Sequence, residues 1–211
     1  MSELFNFDRK YLRNYKFVIG TDEAGRGPGA GPVFAAAVCF LSIDKTLESK
    51  LIKLNDSKQV TPLMREKLFG IITQNSIWCV SQGSLEQIET LNILKASLLA
   101  MKQSVESVEE KLDSNNIIVL VDGNQKIPQI NCSQEIIIKG DAKSASIAAA
   151  SIIAKVSRDR FMDDLHNDFP MYGWNKNKGY MTKSHLEAVD KYGLTKWHRV
   201  KFFDKHFSPN T

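Results

Sequence analysis

Two apolar runs near the N-terminus are separated by a short segment that is dense in glycine and proline. The runs cover residues 17–21 and 33–41, and the segment between them reads DEAGRGPGAGP. Each run is typical of a buried strand, and the segment is too short and too rich in proline to hold a crossover helix. The two strands are therefore predicted to be antiparallel neighbours in one sheet.

Further along the chain, strands alternate with helices. Periodicity and capping residues predict helices over 61–72, 92–108, 144–166 and 183–191, and strands over 76–82, 116–121 and 134–139, with a short helix opened by Ser84. This order predicts an α/β architecture, a mixed sheet with flanking helices. We expect an N-terminal segment over 1–16, a catalytic domain over 17–170, and a basic helical extension over 171–211 packed on that domain.

The composition excludes several classes of protein. No window is apolar enough to span a bilayer, and the charged N-terminus is not a signal peptide, so we expect a cytoplasmic protein without membrane contact. The three cysteines are odd in number and far apart, which is typical of reduced core thiols. The four histidines lack the spacing of zinc ligands.

The C-terminal stretch is basic. From Trp174 to the end, eight Lys or Arg residues stand against three acids, and aromatic residues interleave with these charges. A basic, aromatic-rich stretch indicates a nucleic-acid partner, whereas an ordinary solvated helical surface would carry similar charges. Charge alone does not decide between the two interpretations.

Four acidic residues follow predicted strands, and strand ends in α/β sheets are common places for functional groups. They are Asp22, Glu23, Asp122 and Asp141. If they converge, a cation must offset their repulsion, and hard oxygen ligands suit Mg²⁺ or Mn²⁺, with two ions serving phosphodiester hydrolysis. A lone aspartate at a strand end is more often a turn former or helix cap, and convergence depends on the fold.

Two more acids, Asp159 and Asp163, share a face of the long helix. Because Arg158 and Arg160 accompany them, this stretch is interpreted as a solvated helical surface.

The glycine-rich segment matches G-x-G-x-x-A, a loose dinucleotide-binding pattern, over residues 25–30. That interpretation fails because a strand follows at once, where the dinucleotide pattern requires a helix. Glycines also let the backbone approach a ligand closely. Arg26 can pair with a phosphate, and the backbone of Gly25 and Gly27 could read a 2′-hydroxyl group.

Taken together, the motifs resemble ribonuclease HII over residues 17–203. The resemblance rests on D-E-A-G-R-G-P from Asp22, D-S-K from Asp56, L-N-I-L from Leu91, V-D-G-N from Val121, K-G-D from Lys139, A-A-A-S-I-I-A-K-V from Ala148, K-G-Y from Lys178 and H-R from His198. Departures from the family pattern occur at Gly29, where a bulkier residue is common, at Asn177, where His is usual, and after Arg199.

The resemblance implies a ribonuclease H-like fold with a C-terminal helical extension. It implies hydrolysis of the RNA strand of RNA/DNA hybrids, and incision 5′ of single ribonucleotides in duplex DNA, leaving 5′-phosphate and 3′-hydroxyl ends. The residues that match the family's site are Asp22, Glu23, Asp122 and Asp141 as metal-binding catalytic carboxylates, Gly25, Arg26 and Gly27 as the 2′-hydroxyl-reading loop, Tyr180 as the aromatic that stacks on the sugar, and Lys58 as a substrate contact.

Two other functions stay open at this point. Another two-metal nuclease of the same fold would cut all-DNA duplexes equally well, and a non-catalytic nucleic-acid-binding module would bind without cutting. The expected state in solution is a monomer.

Overall fold

The central sheet has five strands. The computed structural model describes residues 3–54 and 60–208. The strands are β1 (Phe17–Ala24), β2 (Val33–Cys39), β3 (Ile77–Gly83), β4 (Ile117–Asp122) and β5 (Ser133–Ile137). Their order is β3-β2-β1-β4-β5, in which β1, β2 and β3 pair antiparallel whereas β4 pairs parallel with both β1 and β5. The predicted mixed sheet and the predicted antiparallel pair are confirmed.

Helices cover both faces of the sheet. They are α1 (Glu3–Tyr11), α2 (Lys45–Lys50), α3 (Pro62–Asn75), α4 (Leu85–Leu91), α5 (Ile93–Glu109), α6 (Ala145–Asp168), α7 (Trp174–Asn177), α8 (Lys183–Tyr192) and α9 (Asp204–Phe207), with 3₁₀ turns at Gly140–Ala142, Pro170–Tyr172 and Val200–Phe203. The predicted helices are present, and Ser84 forms the expected capping box with Gln87. Helices α1, α2, α7 and α9 were not predicted from the sequence, because they are short and rich in polar residues.

Two apolar layers enclose the sheet, and β2 contributes to both. Ala36 and Val38 pack with the alanine-rich part of α6 on one face, whereas Ala35 and Ala37 pack with α5 on the other. The alternation follows from the period-two geometry of a strand. Helix α6 approaches β1 so closely that a Cβ atom at Gly20 would overlap the backbone of Ser146 and Ile147.

The C-terminal elements pack on the far half of α6. Met162 and Leu165 of α6 form one cluster with Tyr172, Trp174 and Phe203. Trp197 and Phe202 pack against the same cluster, so several aromatics of the basic stretch contribute to a core of their own. Tyr180, Tyr192 and Phe207 are instead exposed.

The three cysteines are free thiols, as expected. Across residues 3–54 and 60–208, no helix combines the length and apolar character that a membrane span requires.

Candidate active site

Asp22 and Glu23 lie at the carboxyl end of β1, the central strand. Asp22 is only 5% exposed, and its Oδ1 accepts the backbone N–H of Glu23 at 2.7 Å. The neighbouring strand β4 runs parallel, with Thr21 opposite Val121. Because the two strands are in this register, Asp122 at the end of β4 lies beside Asp22 at the same edge of the sheet.

Asp141 reaches the same edge through a turn. The Asp122 Oδ1 atom accepts the N–H of Gly140 at 2.6 Å, which ties the end of β4 to the 3₁₀ turn that carries Asp141. All four predicted acids therefore line one cavity of about 420 Å³. Its walls are formed by Asp22, Glu23, Ala24, Gly25, Arg26, Gly27, Arg65, Asp122, Asp141, Ser151, Lys155, Arg158 and Tyr180.

Burial and repulsion between carboxylates disfavour charge on Asp22 and Glu23. The pKa of Asp22 is raised well above its ordinary value by burial, and further by the charges of Glu23 and Asp122. Burial also raises the pKa of Glu23, although the Arg26 guanidinium, 3.2 Å from Glu23 Oε1, partly offsets this. A cation in the cavity would relieve both effects.

The donor set fits Mg²⁺ or Mn²⁺, because it consists of carboxylate oxygens without thiolate or imidazole. Among the described residues, no three His, Cys, Asp or Glu side chains already stand close enough to hold one ion. The site is thus a pocket of hard, mutually repelling donors rather than a formed coordination shell.

The glycine loop and an exposed aromatic form the rim of the cavity. Tyr180 is 48% exposed, and a Cβ atom at Gly27 would lie 3.4 Å from its ring. Gly25, Arg26 and Gly27 line the same cavity as this ring and the carboxylates. Lys58, the remaining predicted contact, lies outside the described residues.

This arrangement can be compared with known proteins. The family model described as Ribonuclease HII matches residues 19–207, nearly the whole chain. The chain belongs to the ribonuclease HII family.

Individual relatives agree with this assignment. The Ribonuclease HII of Fusobacterium nucleatum subsp. nucleatum is 50% identical over 196 residues, covering 92% of this chain and 89% of that protein. The Ribonuclease HII of Pelagibacter ubique is 49% identical over 188 residues, covering 89% and 96%. A solved PCNA:RNase HII complex from Archaeoglobus fulgidus contains a chain with a TM-score of 0.70 at 26% identity, covering 88% of this chain and 94% of that one.

Membership of the ribonuclease HII family confirms the expected ribonuclease H-like fold. It also makes the chain a metal-dependent endoribonuclease of the ribonuclease H type.

Several cavity residues were not singled out from the sequence. Ser151 donates a hydrogen bond to Asp22, and Lys155 lies one turn further along α6, at 2.6 Å from Asp159. Ser151, Lys155 and Asp159 recur every four residues, so helical spacing could have placed them on one face. The interpretation of a solvated surface is wrong for Arg158, which is buried, and for Asp159, whose side chain is 18% exposed. It holds better for Asp163, whose side chain is 50% exposed and pairs with Lys178.

Two departures from the ribonuclease HII pattern have local explanations. At Gly29 a Cβ atom would come within 2.9 Å of the Phe203 ring and 2.8 Å of Met181 Cγ, so these side chains fill the space. Asn177 accepts the N–H of Gly179 at 2.8 Å and donates to the carbonyl oxygen of Tyr172 at 2.7 Å. It thereby fixes the turn that leads into Tyr180.

Proposed function

We propose that this chain hydrolyses the RNA strand of RNA/DNA hybrids and nicks duplex DNA 5′ of single embedded ribonucleotides. The products would carry a 5′ phosphate and a 3′ hydroxyl. The observation that carries the proposal is the shared cavity, which both the carboxylates and the Gly25–Gly27 loop line. Carboxylates serve any phosphodiester hydrolysis, whereas close backbone groups can distinguish a 2′-hydroxyl from a hydrogen atom.

Asp22, Glu23, Asp122 and Asp141 would hold two divalent ions, Mg²⁺ or Mn²⁺. When bound, such ions lower the pKa of the attacking water and stabilise the leaving 3′ oxygen. The chain's own contribution is positional. Buried β1 and the Gly140 N–H bond to Asp122 keep the carboxylates at one edge of the sheet, and Ser151 orients Asp22.

The rim would select the sugar. Backbone N–H groups of the Gly25–Gly27 loop would meet the 2′-hydroxyl, Arg26 would contact a phosphate, and the exposed Tyr180 ring would stack on the sugar at the RNA-to-DNA junction. Lys58 is proposed as a further substrate contact on the resemblance alone. The monomeric state and the cytoplasmic location also stay predictions.

A second cavity extends the site along a duplex. It has a volume of about 760 Å³ and shares Arg65, Lys155 and Tyr180 with the first. Lys176 and Lys178 also line it. Its lining also contains Glu66, Asp159 and Asp163, and Lys155 and Lys178 pair with the two aspartates. Lys176 is therefore the lining cation best suited to a phosphate that flanks the cleaved bond.

A cleavage assay tests the proposal. Duplex DNA with one internal ribonucleotide is incubated with the protein and Mg²⁺ or Mn²⁺, beside an all-DNA duplex of the same sequence. We expect a single nick on the 5′ side of the ribonucleotide and no cut in the control. Equal cutting of both duplexes would identify a nuclease without ribose selectivity, and binding without cutting would identify a non-catalytic module.

The substitution Asp122→Asn tests the carboxylate assignment. It removes a charge from the cavity and keeps an oxygen that can accept the Gly140 N–H. The rate of cleavage is expected to fall at least about a thousandfold, because a ligand of the metal site is lost, while the melting temperature changes little. Retained activity would refute the assignment of Asp122.

A further inference from the structure

Two buried arginines lie beneath the glycine loop. Arg158 of α6 is 1% exposed and Arg199 is 0% exposed. In the described part of the chain, every hydrogen bond that these guanidinium groups donate goes to a backbone carbonyl oxygen. Burying two cations is costly unless their N–H donors all find acceptors, so this arrangement requires an explanation.

Arg199 holds the first half of the loop. Its Nη2 donates to the carbonyl oxygen of Gly25 at 2.7 Å, its Nη1 to that of Arg26 at 3.1 Å, and its Nε to that of Gly31 at 2.9 Å. A planar guanidinium with donors in a fixed fork suits three convergent carbonyls, whereas an ammonium does not.

Arg158 holds the second half and connects it to the turn before Tyr180. It donates to the carbonyl oxygens of Ala30 at 3.0 Å, Pro32 at 3.2 Å and Lys178 at 2.9 Å. Tyr180 is two residues beyond Lys178. The same two side chains therefore anchor the loop and the segment that presents the aromatic ring.

The glycines allow this approach. Gly25 has a φ of +98°, and a Cβ atom there would overlap the Arg158 side chain. Gly31 has a φ of +81°, and a Cβ atom there would lie 3.5 Å from Arg158 Nη2 and 2.5 Å from Met162 Sδ. Glycine at position 25 is thus explained by the packing of Arg158, and glycine at position 31 by its positive φ and the packing of Met162.

The direction of the carbonyls determines the direction of the N–H groups. In a trans peptide the C=O and N–H bonds point to opposite sides. The Gly25 and Arg26 carbonyls point to Arg199, so the N–H groups of Arg26 and Gly27, in the same peptide units, point away from it. Arg26 and Gly27 line the cavity. A cation on the carbonyl side also polarises each peptide and strengthens its N–H as a donor.

We propose that Arg199 and Arg158 are positioning residues for ribose selectivity, holding the Arg26 and Gly27 N–H groups towards the substrate sugar and the Tyr180 turn beside them. The inference rests on the proposed function, since it concerns the group that the loop reads. Burial, and then the charge of Arg158, lower the pKa of Arg199 to about 9, consistent with two cations held close together.

The variants Arg199→Lys and Arg158→Lys test the inference, with Arg160→Lys as the matched control. Arg160 lies on the same helix as Arg158 but is exposed and pairs with Glu66. The readout is ribose selectivity, the inhibition constant of an all-DNA duplex divided by KM for the duplex with one ribonucleotide. We expect Arg199→Lys to lower this ratio at least about tenfold through a higher KM, Arg158→Lys to lower it less, and Arg160→Lys to leave it unchanged. A general loss of stability would lower the affinity for both duplexes equally and leave the ratio unchanged. An unchanged ratio in Arg199→Lys would therefore overturn the proposal.

Amide hydrogen exchange gives a second readout that needs no substrate. In Arg199→Lys, exchange at residues 29–31, whose N–H groups donate to the carbonyl oxygens of Gly179 and Trp197, is expected to accelerate at least about tenfold while β4 exchanges as in the parent protein. Unchanged exchange in the loop would overturn the proposal. If Arg199→Lys does not fold, Arg158→Lys decides by the same measurements. If the parent protein fails to cut the ribonucleotide duplex, the proposed function falls, and exchange alone decides whether the arginines hold the loop.

Discussion

Asp8 is a buried carboxylate far from the candidate active site. It lies on α1, is fully buried, and accepts the N–H and the hydroxyl of Ser146 at 2.8 and 2.7 Å. Burial raises its pKa from 3.8 to about 6, despite these bonds. The folded protein therefore binds a proton at Asp8 more tightly than the unfolded chain does. The contribution of Asp8 to stability is complete below pH 4 and is lost as the pH rises through 6.

Asp8→Asn should remove this pH dependence, because asparagine keeps an acceptor for Ser146 but does not titrate. The difference in free energy of unfolding between the variant and the parent is expected to shift in favour of the variant by up to about 3 kcal/mol from pH 4 to pH 7. Urea denaturation at several pH values measures it, and other groups cancel in the difference. A difference that stays constant with pH would contradict the prediction.

At the scale of single residues, the sequence predicts acids better than it predicts buried cations. Asp22 and Glu23 stand out because two charges follow an apolar strand. Arg158 stands among charged neighbours on a helix, where an exposed arginine is the ordinary expectation. Its burial depends on the carbonyls of a loop more than a hundred residues away, and no local pattern encodes that contact.

At the scale of elements, the contact between β1 and α6 controls the position of the site. Asp22 and Ser151 meet because the helix lies directly on the strand, and the two backbones approach closely at Gly20. Gly20→Ala would force a methyl group into backbone that cannot rotate away. We expect a loss of at least about 3 kcal/mol in the free energy of unfolding, with a matching loss of cleavage.

Gly70→Ala is the matched control for this substitution. Gly70 lies inside α3, and a Cβ atom there meets nothing within 4 Å. Alanine should therefore stabilise the protein by about 0.5–1 kcal/mol through helix propensity. Thermal or urea denaturation of both variants measures the contrast. Equal destabilisation by the two alanines would show that close packing at Gly20 is not the cause.

Elements could be predicted where nearby residues determine them, and could not where contacts with distant residues do. The pairing of β1 with β2 could be predicted because an eleven-residue segment rich in proline allows few other connections. Helix α1 could not, because only Phe5 and Asp8 of its residues are buried, and their partners lie elsewhere in the chain. The meeting of Asp141 with Asp122 likewise depends on a turn after β5 that ends in a hydrogen bond from Gly140.

At the scale of the whole molecule, the distribution of charge matters more than the net charge of +4. The carboxylates occupy one cavity, and the exposed Lys176 lines the larger cavity beside it. Lys45 is also exposed, but it begins α2 after the end of β2, where Cys39 pairs with Ile19 at the edge of the sheet opposite Asp22. The two lysines therefore differ mainly in their distance from the proposed path of the duplex.

This difference gives a prediction for the dependence of binding on salt. Affinity for a ribonucleotide-containing duplex is measured by fluorescence anisotropy at several salt concentrations, with Asp122→Asn in every protein to prevent cleavage. Lys176→Gln should reduce the slope of log affinity against log salt by about one, because one phosphate contact and its released counterion are lost. Lys45→Gln should leave the slope unchanged. Equal slopes for the two variants would place the duplex away from the larger cavity, while the cleavage chemistry of the smaller one would remain as proposed.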